Sequence, residues 1–317
     1  MIYKIEEANQ KLREGEFENA KRIYSDLLDI EPENEILVNG YFISSYWDNR
    51  LDMILTLKEG RERGTKLVQL FDEFETEIGN RKLSKLASYE AITQCILSEA
   101  SLHFRIAYHN EGTSGLDKDI LLDLSVCLIK TGDYKNALEV IEYSKTFQDS
   151  SSMLKFFKAE CYYHLGNSRK SQILFREGLL HDPDQLRLDI IKSEPLQTAI
   201  KEISGRLKNE GDLKEYLPVY CLEKKYFTQT KEYSKEELKS LYLEMNRLEE
   251  SLQKENREFN FKINCRILQI GITILDSLPS NTNNDLIRKV IMKINQIDSG
   301  FLDRRKQNMA RSDVRKL

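Results

Sequence analysis

Apolar positions recur at helical spacing along most of this chain, and strand-like alternation is missing. Ser234 and Glu237 are spaced as a capping box and predict a helix start. Behind them Leu238, Leu241, Met245, Leu248 and Leu252 recur at intervals of three and four. Residues 261–278 are apolar on most faces (Ile263, Ile267, Leu268, Ile270, Ile272, Ile274, Leu275, Leu278), which predicts a buried helix. A loop follows over 279–284, and then an amphipathic helix with Ile287, Val290, Ile291, Ile294 and Ile297 on its apolar side. Five prolines and fourteen glycines in 317 residues leave few positions at which helices must break.

A second period lies above the helical one. Segments 118–151 and 152–185 align without a gap: Cys127 falls on Cys161, Gly132 on Gly166, Ala137 on Ser171, Ile141 on Phe175 and Asp149 on Pro183. Residues 1–34 give a third copy, with Ala8, Leu12, Gly15, Phe17, Ala20, Tyr24, Leu27 and Pro32 at the same offsets. A repeat of 34 residues predicts a helix–turn–helix unit that buries its apolar face only against a neighbour. The glycine ends the first helix where a left-handed residue is needed. The small residues (Ala8, Ser125, Ala159; Ala20, Ala137, Ser171) let the two helices cross closely. These residues resemble the tetratricopeptide repeat (TPR) family over 1–34 and 118–185. The large aromatic that the family places early in its first helix is absent from all three copies (Lys4, Leu121, Lys155). The resemblance implies an all-α fold, a right-handed α-solenoid closed by a C-terminal helical cap or bundle, and a protein-binding role.

Counting by 34 forward from 35 and back from 118 leaves a 15-residue excess in the second unit, so residues 1–190 divide into units near 1–34, 35–83, 84–117, 118–151 and 152–185, followed by a helical region over 191–302 and a basic tail over 303–317. In that register the second unit turns at Asn49 and continues as a long helix from about Asp52 to Ile78, with Gly60 and Gly64 inside it and a turn at Gly79-Asn80. The third unit lacks the glycine and has His103 at its small position. Segments 195–210 and 212–225 form one further pair, broken at Gly211 and irregular at Pro218. The C-terminal helices either cap the array or self-associate through 234–278, for instance as a coiled coil along 238–252.

Chemistry is sparse. The five cysteines include no Cys-x-x-Cys pair, and the four histidines show no metal-ligand spacing, so neither metal nor cofactor is expected. Cys127 and Cys161 occupy equivalent repeat positions and read as reduced core residues. Gly112–Gly115 reads as an ordinary loop, with no phosphate-cradling glycine pattern or nucleophile motif elsewhere, so no enzyme is expected. A formal charge of −4 argues against general nucleic-acid binding. No apolar run reaches the roughly 20 residues of a membrane span, and the first residues lead directly into the first repeat, so a cytoplasmic location is expected. Residues 285–317 carry a formal +5 against −9 for the remainder. Such a tail either frays in solvent or docks on an acidic surface, its own body included.

In a solenoid of this kind the first helix of each unit lines an inner groove. The groove positions are Ile5, Asn9, Leu12 and Arg13 in the first unit, then Asn39, Ile43, Tyr46 and Trp47 in the second. Leu122, Val126 and Lys130 follow in the fourth, and Phe156 and Tyr163 in the fifth. Trp47, Tyr46, Phe156 and Tyr163 are the expected anchors for a partner helix or peptide. The alternative is that the chain's own helices fill the groove. The carboxylate clamp of TPR co-chaperones is not expected, because its frame reads Ile5, Asn9, Gly40, Lys85 and Tyr89 here.

Overall fold

A computed structural model describes residues 1–112, 118–143, 151–194, 196–207, 209–252, 257–278 and 284–314. Among them the regular elements are all helical and no strand occurs. In chain order the helices are α1 (Ile2–Arg13), α2 (Phe17–Leu28), α3 (Glu35–Thr56), α4 (Arg61–Asn80), α5 (Ala87–Glu111), α6 (Lys118–Lys130) and α7 (Tyr134–Tyr143). They continue with α8 (Ser152–His164), α9 (Ser168–His181), α10 (Leu196–Ser204), α11 (Glu210–Lys224) and α12 (Lys235–Glu250). The last three are α13 (Arg257–Ser277), α14 (Asn284–Ile297) and α15 (Phe301–Val314). The chain divides into two compact units, Met1–Phe147 and Gln148–Leu317.

The three repeat segments form three hairpins with the same bend. Gly15, Gly132 and Gly166 all take left-handed φ, at 78°, 82° and 79°. The N–H before each glycine bonds four residues back (Glu14 to Gln10, Thr131 to Cys127, Leu165 to Cys161). The glycine N–H reaches three back, to Leu12, Ile129 and Tyr163. The next N–H reaches five back, to Lys11, Leu128 and Tyr162. This is the Schellman pattern, which satisfies carbonyls that the helix end leaves open. The second helix then starts identically, with Ala20 N–H on Glu16, Ala137 on Asp133 and Ser171 on Asn167. The paired small positions and Tyr24, Ile141 and Phe175 are all buried, so the offsets in the sequence are packing positions in space.

In the first unit α2 packs on α1 and α3, and α6 packs on α7. The middle differs from the register expected by counting. Helix α3 runs straight through Asn49, where a turn was expected, and breaks at Leu57–Gly60. Asn inside a helix costs only a few tenths of a kcal/mol. Arg50 sits one turn beyond Tyr46, donating to its carbonyl at 2.8 Å with its guanidinium 3.6 Å from the ring centre. The break is set instead by Gly60, at φ 95°, and by Arg63, whose guanidinium bonds the Leu55 and Leu57 carbonyls at 3.2 and 2.7 Å. The expected helix 52–78 is therefore α4, starting nine residues later, with Gly60 as its N-cap and Gly64 within it. At Gly64 a Cβ would stand 2.8 Å from the Phe104 ring, so this glycine permits the close approach of α5. Residues 84–117 form no hairpin where they are described. Helix α5 is one unbroken helix of 25 residues, packed on α4 and lying against α1, α3 and α6.

In the second unit the α8–α9 hairpin is followed by a 3-10 turn at Pro183–Gln185 and by the α10–α11 pair. In that pair α10 ends at Ser204 and α11 starts at Glu210, ahead of Gly211, because Asn209 caps α11 by accepting the Asp212 N–H at 2.8 Å. Pro218 lies inside α11. The capping box at Ser234 and Glu237 forms. Helix α13 is buried as its composition predicts, packing on α11, α12 and α14 with Ile267, Ile270, Ile272 and Ile274 in the core. Leu238 and Met245 of the 3–4 stripe belong to the same core, and Leu241, Leu248 and Leu252 pack against it. The expected free tail from residue 303 begins inside a helix instead: α15 packs on α11 and α14, with contacts described as far as Asn308. The loops expected at 113–115 and 279–283, and Asp149, lie outside the described residues.

Candidate interaction surface

The expected groove positions are mostly interior. Asn9, Leu12, Asn39, Ile43, Tyr46, Trp47, Val126, Lys130 and Phe156 are buried; Ile5, Leu122 and Tyr163 are half-buried, and Arg13 is exposed. In the first unit the covering element is the chain's own α5, which occupies the inner side of α1 and α3. Asn9 there accepts the Tyr24 hydroxyl at 2.6 Å, and Asn39 donates to the Ser84 carbonyl at 3.3 Å. Trp47 has no exposed surface. Its ring centre lies 5.5 Å from that of Tyr46 and 5.6 Å from that of Phe74, which also packs on Phe71 at 5.8 Å and stacks on Tyr89 at 6.1 Å. Among the described residues the indole N–H of Trp47 has no acceptor.

Lys130 serves an ion-pair node. Its ammonium pairs with Glu75 of α4, which also takes Lys85 at 2.9 Å and the Tyr89 hydroxyl. Burial pushes the Glu75 carboxyl up, but Lys130, Tyr89 and Lys85 outweigh it and leave the pKa below the ordinary value. His103 is buried on α5, where its Nδ1 accepts the Gly60 N–H at 3.2 Å and its Nε2 faces Glu99 at 3.2 Å. Burial lowers its pKa, against Glu99 and Glu59, which raise it, while Arg63 lowers it further. The position that broke the small-residue rule in the sequence thus fixes the α3–α4 break.

In the second unit Phe156 stacks on Phe175 at 6.5 Å, and Phe175 on Phe227 at 6.1 Å. Glu160, fully buried, accepts the Lys192 N–H at 2.7 Å and contacts His164 Nε2 at 3.0 Å. Tyr163 borders a cavity of about 80 Å³ shared with Ser171, Gln172, Ser193, Glu194 and Phe227. All five cysteines are free. Burial pushes the Cys95 thiol up to about 11 and those of Cys127 and Cys265 up to about 12, and Cys221 also moves up. Such thiols are poor nucleophiles at neutral pH. Among the described residues no group of three or more His, Cys, Asp or Glu could hold a metal ion, and no helix is long and apolar enough to cross a membrane.

The first unit leaves large apolar side chains open in several places, Leu55, Leu102 and Tyr108 among them, and the most exposed lie at one end. Because α1, α2 and α3 alternate in direction, the start of α1, the end of α2 and the start of α3 share that end. Ile2 and Tyr3 are 81% and 91% exposed there, Ile30 is 69% and Ile36 42%. Counting inward-facing positions missed Tyr3 and Ile30. The available signal was their place off the packing offsets, at helix ends. No protein-family model, no curated protein and no solved structure matches this chain.

Proposed function

We propose that the chain is a non-enzymatic protein-interaction scaffold, a right-handed array of TPR-like hairpins that binds an apolar partner segment at the open end of α1–α3. The support is one observation: four large apolar side chains at adjoining helix ends, Ile2, Tyr3, Ile30 and Ile36, stay exposed while α5 covers another side of α1 and α3. Clustered exposed apolar side chains mark interaction surfaces. The buried polar groups are spent on the fold: Glu75 on Lys130, His103 on Gly60, Glu160 on Lys192.

The test is affinity capture with Tyr3→Ser/Ile30→Ser. Both side chains are exposed, so the unfolding free energy stays within about 0.5 kcal/mol of wild type, while captured partner falls at least tenfold. Capture equal to wild type would refute the proposal. Self-association through 234–278 has less support, because the stripe it needs is turned onto α13. Sedimentation as a dimer that dissociates on Leu243→Ser, an exposed position of α12, would favour it instead.

A further inference from the structure

Helix α15 is fastened mainly by polar groups. Phe301 is buried and Leu302 packs against the core, but the remaining inward positions with described side chains are Arg304, Arg305 and Asn308. Arg304 bridges Glu223, through Nε at 3.1 Å and Nη2 at 3.3 Å, and Asp298, at 3.1 and 2.6 Å. Arg305 gives Nη2 to both Asp276 oxygens at 2.8 Å and Nε to the Leu222 carbonyl at 3.0 Å. Asn308 donates to the Glu223 carbonyl at 3.2 Å.

Apart from Asp298, the receiving groups belong to α11 and α13. Leu222 and Glu223 lie in the last turn of α11, whose final carbonyls have no donor within the helix. Asp276 lies on the buried α13 and is also held by Arg176 of α9 at 2.6 Å. The Arg176 Nε is buried beside it with no partner. Two carboxylates and two carbonyl oxygens therefore converge on one place, the donor pattern of guanidinium being a planar fork that matches them.

The outward face of the strap meets solvent. Asp303 and Lys306 face solvent, at 75% and 76% exposure, and Arg304 is 44% exposed, so its pairs are screened by salt. A released helix of 14 residues does not hold its own structure in water. Three residues, Asp298, Ser299 and Gly300, connect it to α14.

We propose that α15 is a releasable strap that occupies, within its own chain, a socket for two adjacent arginines on a helix. A partner helix that presents an aromatic residue, then Arg-Arg three and four positions later, takes its place when it lifts. The proposal concerns the second unit alone and does not depend on the open end of α1–α3.

Two measurements test it. Hydrogen exchange on the wild-type chain at 50 and 500 mM NaCl is expected to show at least a tenfold loss of protection over 301–308, with α13 unchanged. Protection indifferent to salt overturns the strap. A labelled peptide with the sequence of residues 298–314 is then titrated into the full-length chains. It is expected to bind Arg304→Ala/Arg305→Ala at least tenfold more tightly than wild type, whose socket is filled, and to lose that gain when Glu223→Gln and Asp276→Asn are added. Equal binding to wild type and the double variant, or a gain that survives loss of the carboxylates, overturns the socket. Should the double variant fail to fold, the salt dependence of wild-type exchange still decides the strap, and a peptide with both arginines replaced by alanine still decides the socket. Wild type at intermediate salt must prefer the unaltered peptide.

Discussion

Replacing Trp47 with alanine distinguishes a core residue from a binding anchor. The side chain is fully buried between Tyr46 and Phe74. Truncating such a residue costs about 3–5 kcal/mol in transfer and cavity terms, and the two aromatic contacts place it near the top of that range. Against a whole-domain stability of roughly 5–15 kcal/mol, Trp47→Ala is expected to lower the first unit's melting midpoint by roughly 10–15 °C. Trp47→Phe is expected to cost less than about 2 kcal/mol, because it keeps most of the volume and removes a buried donor that has no acceptor among the described residues. Urea unfolding followed by far-UV circular dichroism measures both variants. Trp47 is also the only tryptophan, so its emission reports on its surroundings in the wild-type chain. An alanine variant within about 1 kcal/mol of wild type would refute the burial argument. So would native fluorescence quenched by acrylamide as readily as in urea.

Other consequences are as direct. His103, whose pKa is lowered, holds the Gly60 N–H only while neutral. Its contribution is complete above the unfolded value of about 6.5 and is lost as pH falls through the folded one. The urea midpoint should therefore drop between pH 7.5 and 5.5, and drop less in His103→Asn; an unchanged slope would remove His103 as the cause. Glu75→Gln takes the carboxylate away from the buried Lys130 ammonium and should cost up to about 3 kcal/mol, whereas Glu75→Leu with Lys130→Met should recover most of it in the same urea titration. Gly166→Ala meets no neighbour but must take φ near 79°, so a loss of about 1 kcal/mol is expected. Gly79→Ala meets no neighbour either and lies in a helix, so it should gain up to about 1 kcal/mol. Equal melting midpoints for these two alanine variants would contradict the bend geometry.

What the sequence made legible was local. A bend that needs left-handed φ calls for glycine wherever it recurs, so Gly15, Gly132 and Gly166 could be located by counting. The small residues at the crossings and the capping box at Ser234 follow from equally short-range rules. The middle of the first unit followed distant partners instead. The α3–α4 break depends on Gly60 meeting His103, 43 residues away, and counting through Asn49 had no access to that contact. Most of the expected groove positions are apolar, with Asn9, Arg13, Asn39 and Lys130 the exceptions. Whether an apolar helix face meets solvent or α5 is a tertiary matter, and the pattern alone is the same for both. The basic end was legible as charge, but its docking required Glu223 and Asp276, which lie 81 and 29 residues before their arginines.

The shielded thiols make the chain its own opening gauge. Cys127 is buried in the first unit, and Cys161, Cys221 and Cys265 in the second; Cys95 is only half-buried. A maleimide added to the native chain can modify the four buried thiols at an appreciable rate only in molecules that have come apart around them. Beyond any addition at Cys95, intact-mass spectra after timed exposure would then count up to one addition from the first unit and three from the second. Peptide mapping of the early adducts tells which unit loosens first, with no engineered probe.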